Sequence, residues 1–120
     1  MDRTILVVDD DPVFRALATR MLTASGLKVI GEAESVADAL ETAARIEPEA
    51  VLVDVGLPDG DGFSLARQLK ALPWQPRVLL TSADTDVADS DDLRRDGDVL
   101  AFVHKADLPN APLAQLFGDE

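Results

Sequence analysis

Short, wholly apolar runs alternate along this chain with segments in which apolar residues recur every three or four positions. The first run is followed by three aspartates, in ILVVDDDPVF from Ile5 to Phe14. Short apolar runs are typical of buried strands, and the three-to-four spacing is typical of helices. Strands alternating with helices predict an α/β fold: a five-stranded parallel doubly wound sheet with helices on both faces.

The predicted strands and helices follow one another in βα order. The strands are Arg3–Val8, Lys28–Ala33, Ala50–Asp54, Arg77–Thr81 and Ala101–His104. Asp11 is predicted to cap the first helix, with Pro12 at its first position, and that helix ends at Ser25 and Gly26. Its predicted core face is Phe14, Leu17, Ala18, Met21 and Leu22.

The later helices differ in how clearly the sequence marks them. Ser35 caps a second helix that ends by Pro48, and Phe63–Leu72 forms a third that Pro73 ends. The segment between the last two strands has few apolar residues, which predicts a short or mobile fourth helix. The fifth helix is predicted over Pro112–Phe117.

Charge and composition restrict the partners of this 120-residue chain. Its net charge of −12 disfavours direct binding to nucleic acid or to an anionic membrane. The absence of cysteine excludes disulfides and thiolate metal sites. Neither a signal peptide nor a membrane span is evident, so we expect a single cytoplasmic domain over residues 1–120, with no output domain.

Polar side chains follow four of the strands. Asp9 and Asp10 follow the first strand, Asp54 ends the third, Thr81 ends the fourth and Lys105 follows the fifth. Ligands of open parallel sheets bind at the carboxyl ends of the strands, so these residues are expected to meet. Three carboxylates favour Mg²⁺, and a carboxylate beside a bound cation can attack a phosphoryl group.

The motifs VVDD (7–10), VLVDVGLPDGDG (51–62), LLTS (79–82) and FVHK (102–105) together resemble the receiver domain of bacterial two-component response regulators. The resemblance covers essentially the whole chain. It implies the flavodoxin-like (βα)5 fold and a domain that accepts a phosphoryl group from a histidine kinase or a phosphotransfer protein. Such a domain is not a conventional enzyme, but it catalyses its own phosphorylation and dephosphorylation.

The resemblance also implies a role for each site residue. Asp54 is the phosphoacceptor, and Mg²⁺ is bound by Asp9, Asp10, Asp54 and the backbone carbonyl of Gly56. Thr81 and Lys105 bind the phosphoryl group, and Thr81 and Phe102 are the switch residues. The resemblance thus implies that the catalytic residues are Asp54, Thr81 and Lys105 and that the switch residues are Thr81 and Phe102. The implied metal ligands are Asp9, Asp10, Asp54 and Gly56.

Signal output is expected from the face made by the fourth helix, fifth strand and fifth helix, which would act on a downstream protein target. We expect a monomer that can dimerise when phosphorylated. Because Gly56 and Ala83 are small, we also expect a short-lived phosphoaspartate. Ala106, where many receivers have proline, and VIGEA (29–33) resemble one DNA-binding subgroup of receivers.

Two other functions fit parts of the sequence. ILVVDDDPV also resembles the first motif of haloacid-dehalogenase-type phosphatases, with Asp9 as nucleophile and Asp11 as general acid, although Asp54 then has no role. A receiver-like interaction module that is never phosphorylated is the other. An EF-hand is excluded, because its first and twelfth loop positions would be Leu57 and Gln68.

Overall fold

Five parallel strands form one sheet in the computed structural model, which describes residues 3–83, 101–110, 112 and 113. The strands are β1 (Arg3–Val8), β2 (Leu27–Ala33), β3 (Ala50–Asp54), β4 (Arg77–Ser82) and β5 (Ala101–His104). Their order across the sheet is β2-β1-β3-β4-β5. The predicted fold class is confirmed, and predicted strand ends agree to within one residue.

Each of the three described α-helices starts at a capping side chain. They are α1 (Pro12–Ala24), α2 (Val36–Ile46) and α3 (Gly62–Lys70). The carboxylate of Asp11 caps α1, the hydroxyl of Ser35 caps α2 and the carboxylate of Asp61 caps α3. The caps at Asp11 and Ser35 confirm the sequence predictions, because each side chain satisfies an N–H that the helix cannot.

Two short elements were not predicted. Gly56–Leu57 and Gly60–Asp61 pair as an antiparallel hairpin within the loop from β3 to α3. Lys105–Asn110 forms a 3₁₀-helix directly after β5. No helix within the described ranges is both long and apolar enough to cross a membrane.

Two details of the helix predictions are wrong. The third helix ends at Lys70, because Leu72 precedes Pro73 and the residue before a proline is disfavoured in helical conformation. Leu17 is 49% exposed rather than buried. The buried residues of α1 are Phe14, Ala18 and Leu22, a narrow stripe four residues apart that leaves Leu17 on its flank. The predicted fourth helix lies outside the described residues, as does all but the start of the fifth.

Both faces of the sheet are covered, which explains the continuous apolar runs in its central strands β1, β3 and β4. Ile5 and Val7 of β1 belong to the cluster that includes Phe14 and Leu22 of α1. Leu6 and Val8 belong to the opposite cluster, with residues of α2 and α3. The alternation of β1 between two helix layers leaves only its carboxyl end open to ligands.

The outer strand β2 contains a bulge. Ile5 pairs with Val29 and Leu6 with Gly31, so Ile30 has no partner in the register. An extra residue shifts every later side chain to the opposite face of the strand. Gly31 therefore faces α2, where an added Cβ would lie 2.9 Å from Cδ1 of Ile46. The same shift turns Glu32 toward α1.

Candidate functional site

The predicted site residues meet at the carboxyl edge of the sheet. Asp9 and Asp10 follow β1, Asp54 ends β3, Thr81 lies in β4 and Lys105 follows β5. Asp54 and Thr81 are register partners on neighbouring strands. This edge includes the point between β1 and β3 where the strand order reverses, the usual ligand site of such sheets.

Three carboxylates form the centre of this site. One oxygen from each of Asp9, Asp10 and Asp54 lies within 4.8 Å of the others. Asp9 and Asp54 are buried, whereas Asp10 is exposed. Carboxylate oxygens this close repel one another without a cation, and they are ligands that hard divalent ions prefer. The acidic triad therefore fits a metal site.

The three adjacent aspartates have three different environments. The side chain of Asp9 accepts a hydrogen bond from the N–H of Asp11 at 2.9 Å, and the side chain of Asp11 accepts one from the N–H of Val13 at 2.9 Å. Within the described ranges no hydrogen bond or ion pair involves the Asp10 side chain. Asp9 and Asp11 thus shape the turn, and Asp10 is left for a ligand.

The Lys105 ammonium provides positive charge beside the triad. Its Nζ lies 2.7 Å from Oδ2 of Asp9 and 3.8 Å from Oδ2 of Asp54. It also lies 4.3 Å from the ring centroid of Phe14, a cation–π contact. The ammonium is therefore held between α1 and the acids, within reach of a group bound to Asp54.

A buried hydroxyl completes the edge. Thr81 is fully buried, and its Oγ1 has no hydrogen-bond partner among the described residues. Buried polar groups are normally paired, so this hydroxyl next to Asp54 is available to donate to an oxygen of a group bound to that carboxylate. Phe102, on β5, is half-buried and meets His104 edge to face at 5.3 Å between ring centroids.

Burial changes the acidity of Asp54. Desolvation raises the pKa of its carboxyl from 3.8 to about 6, and the negative charge of Asp9 adds to the rise. Lys105 and the N–H of Gly56 oppose it. A carboxylate that water solvates poorly is a candidate nucleophile once a cation balances its charge.

The backbone around Asp54 is tightly packed on one side and open on the other. A Cβ at Gly62 would lie 2.8 Å from the carbonyl oxygen of Asp54 and 2.9 Å from Cα of Val55, so only glycine fits there. At Gly56 a Cβ would have no neighbour within 4 Å. The start of α3 thus fixes the end of β3, while the side of Gly56 is open.

Both acids of the DGDG segment bind helix N-termini. Asp61 accepts a hydrogen bond from the N–H of Ser64 at 2.7 Å. Asp59 accepts from the N–H groups of Val36 and Ala37, at 2.7 and 3.0 Å, and these bonds lower the pKa of its carboxyl. Asp59 thereby joins the loop after Asp54 to α2. No local pattern in the sequence indicates this contact, because 22 residues separate Asp59 from Ala37.

Sequence reasoning also missed two residues of α1. Phe14 was assigned only to the core, yet its ring contacts Lys105. The expected site residues do not include Arg15, yet its Nη1 donates to the backbone carbonyl of Asp9 at 2.6 Å. Both lie within four residues of Asp11 in the sequence, which is the one signal that could have indicated them.

Comparison with protein families agrees with this site. Residues 5–109 match the model of the response regulator receiver domain. The chain belongs to the response regulator receiver domain family. The haloacid-dehalogenase-type interpretation does not fit this family. It requires Asp11 as a general acid and leaves Asp54 without a role, whereas Asp11 caps α1 and Asp54 lies within the acidic triad.

Individual relatives support the family assignment. The receiver is 32% identical over 83 residues to the chemotaxis protein CheY of Bacillus subtilis, an alignment that covers 69% of each chain. It is 34% identical over 79 residues to a protein-glutamate methylesterase/protein-glutamine glutaminase of Hahella chejuensis, covering 66% of this chain and 23% of that protein. The chain spans only 22–38% of the length of six further curated relatives.

A solved structure agrees in fold over nearly the full length. The signal receiver domain of NarL from Mycobacterium tuberculosis matches with a TM-score of 0.77 and 29% identity, covering 98% of both chains. The activities of the longer relatives reside in whole proteins of which this receiver matches a part.

Proposed function

We propose that this receiver accepts a phosphoryl group onto Asp54 in a Mg²⁺-dependent reaction. The donor would be the phosphohistidine of a histidine kinase or a phosphotransfer protein, in the cytoplasm. The observation that carries the proposal is the buried Asp54 carboxylate lying within 4.8 Å of Asp9 and Asp10, with Lys105 beside it.

In the proposed step, an Asp54 oxygen forms a bond to phosphorus while the phosphorus–nitrogen bond of the donor breaks. The electron pair of that bond leaves with the donor imidazole. Lys105 turns from the acids to the new phosphoryl oxygens, and the Thr81 hydroxyl donates to one of them. The unpaired Thr81 oxygen and the position of Lys105 support these roles.

Mg²⁺, when bound, would neutralise oxygens that otherwise repel the Asp54 carboxylate. Asp10 and Asp54 would hold it directly, with the carbonyl of Gly56, and Asp9 chiefly through water. The exposed Asp10 side chain, free of hydrogen bonds and ion pairs within the described ranges, supports this ligand set.

We further propose that phosphorylation moves Thr81 and Phe102 and so changes the face made by the fourth helix, β5 and the fifth helix for a downstream protein target. Residues 1–120 would act as one receiver domain, monomeric until phosphorylated. Gly56 and Ala83 are both exposed beside the acceptor, which supports a short-lived phosphoaspartate. A phosphoaspartate half-life of many hours in Mg²⁺ would contradict this last point.

The test is to incubate the protein with Mg²⁺ and acetyl phosphate, stop the reaction in acid, and measure its intact mass. Wild type should gain one phosphoryl group, and Asp54→Asn should gain none. Asp11→Asn is the matched control, because it removes a neighbouring carboxylate outside the triad and should still be labelled. If wild type gains no mass even on rapid sampling, and does not bind beryllofluoride, the unphosphorylated interaction module is the better description.

A further inference from the structure

We propose that Arg15, held by Glu32, is a positioning residue for the metal-binding acids: it fixes the peptide between Asp9 and Asp10. This inference rests on the proposed Mg²⁺ site. Arg15 lies in α1, and its side chain is 16% exposed. Its Nη1 donates to the Asp9 carbonyl at 2.6 Å, and its Nε donates to Oε1 of Glu32 at 2.9 Å.

The Asp9 carbonyl belongs to the peptide that leads into Asp10. The N–H of Asp9 donates to the carbonyl of Ala33 at 3.0 Å, and its side chain accepts from Asp11. Arg15 adds a restraint on the carbonyl of this peptide, which neither of those two bonds holds. Because no hydrogen bond or ion pair orients the Asp10 side chain within the described ranges, its direction depends on the backbone that Arg15 holds.

The bulge in β2 makes the ion pair between Arg15 and Glu32 possible. In a regular strand Val29 and Gly31 would share a face, and Glu32 would point to α2. The extra residue Ile30 reverses this alternation, so Glu32 faces α1 and reaches Arg15. The GEA segment of VIGEA thus has a physical role: glycine against α2, then glutamate against α1.

Arginine suits this position because its planar group presents donors in two directions at once. One edge can serve a backbone carbonyl while another serves a carboxylate, which a lysine ammonium at the same place cannot do with the same fixed geometry. Glu32 in turn is half-exposed on the outer strand, so its contribution is to orient Arg15 rather than to bind metal.

A purely electrostatic role for Arg15 predicts the opposite effect on metal binding. A positive charge near three carboxylates repels a cation, so its removal alone would tighten Mg²⁺ binding. Loss of a positioning contact instead weakens binding, because Asp10 must then be ordered when the metal arrives. The sign of the change separates the two roles.

The experiment is a calorimetric Mg²⁺ titration of the whole chain and its variants. Arg15→Met should weaken Mg²⁺ binding about tenfold, the scale seen when a supporting partner of a metal ligand is lost. Arg15→Lys should fall between wild type and Arg15→Met. Arg20→Met, an equal charge change at an exposed position of the same helix, should bind Mg²⁺ as wild type does.

Two substitutions at Glu32 make a charge-matched pair that tests the same contact if Arg15 variants fold poorly. Glu32→Gln keeps an oxygen that can accept from Arg15, whereas Glu32→Ala does not. We expect Glu32→Ala to bind Mg²⁺ more weakly than Glu32→Gln. Equal binding by these two, unchanged or tighter binding by Arg15→Met, or Arg15→Lys equal to wild type would overturn the inference. Failure of wild type to bind Mg²⁺ would instead overturn the proposed function on which it rests.

Discussion

The chain leaves β1 and β3 in similar ways but holds the two exits differently. Each strand has a buried apolar run that leads into aspartate at its carboxyl end: β1 is followed by Asp9 and Asp10, and β3 ends with Asp54, and these three residues form the triad. After β1, the hydrogen bonds made by the Asp9 and Asp11 side chains, and the one from Arg15 to the Asp9 carbonyl, join residues two to six positions apart. Two further bonds, from the Asp9 N–H to Ala33 and from Arg15 to Glu32, tie this turn to β2. After β3, Asp59 bonds to α2 across 22 and 23 residues. The Asp11 cap at the first exit is therefore a local bond, whereas Asp59 joins the second exit to a distant helix.

This difference predicts that loss of the Asp59 contact after β3 will alter the structure of more distant residues than loss of the Asp11 cap after β1. The substitutions below test it by altering one exit at a time. Unfolding can be followed by the fluorescence of Trp74, whose indole N–H donates to the carbonyl of Pro48 at 3.0 Å.

Among these substitutions, Asp54→Asn is expected to change the free energy of unfolding most. The folded-state pKa of Asp54 is about 6, above its ordinary value of 3.8. The Asp54 carboxyl therefore stays protonated in the folded protein at pH values where it is already ionised in the unfolded chain. Stability of the metal-free protein should therefore fall as pH rises from about 4 to about 6, by roughly 2–3 kcal/mol. The variant should lack this fall and be more stable than wild type at pH 7. Urea denaturation across this pH range measures the free energy of unfolding of both proteins. Equal stability of wild type and variant at pH 7 would show that burying the ionised Asp54 carboxylate does not destabilise the fold.

Gly62→Ala should have the next largest effect. The added methyl group would collide with the backbone of Asp54 and Val55 at the start of α3, and such overpacking costs about 1–3 kcal/mol. Gly56→Ala, in the same loop but facing open space, is the control and should be nearly neutral. Similar losses in both variants would mean that backbone freedom, rather than close packing, explains the glycines.

At the exit from β1, Asp11→Ala removes the cap of α1. The expected loss is about 1 kcal/mol, typical for an N-cap. Because the bond is local, amide hydrogen exchange should speed up in the first turn of α1 and remain unchanged in α2. Faster exchange in α2 would show that the Asp11 cap, too, is coupled to a distant helix.

Asp59→Ala should give a smaller loss of stability but a wider effect. Without it the N–H groups of Val36 and Ala37 lose their partner, so exchange should rise at the start of α2 and in the loop after Asp54. The hydrogen bonds lower the pKa of Asp59, so its stabilising contribution is present above its ordinary value of 3.8 and lost as pH falls through the lower folded-state pKa. The melting temperatures of wild type and variant should therefore converge in strong acid. Asp61→Ala, which frees only the N–H of Ser64, is the control in the same loop.

The same contrast explains how much the sequence could predict. Local patterns predict the strands and the caps at Asp11 and Ser35. The rule that the carboxyl ends of parallel strands lie at one edge predicts that four site residues meet there: Asp9, Asp10, Asp54 and Lys105. Leu17 was misassigned because helical spacing does not reveal how wide a stripe the sheet covers. The bulge at Ile30 and the reach of Asp59 depend on packing between distant segments, which no local pattern contains.

The bulge in β2 also affects how this molecule meets others. As one of the two edge strands of this sheet, β2 carries backbone groups that an extended chain could pair with. Its ladder is interrupted at Ile30, and exposed Lys28 and Glu32 place charges on either side of the interruption. Irregular, charged edges discourage edge-to-edge aggregation. The residue that turns Glu32 toward Arg15 thus also makes this border of the sheet a poor template for aggregation.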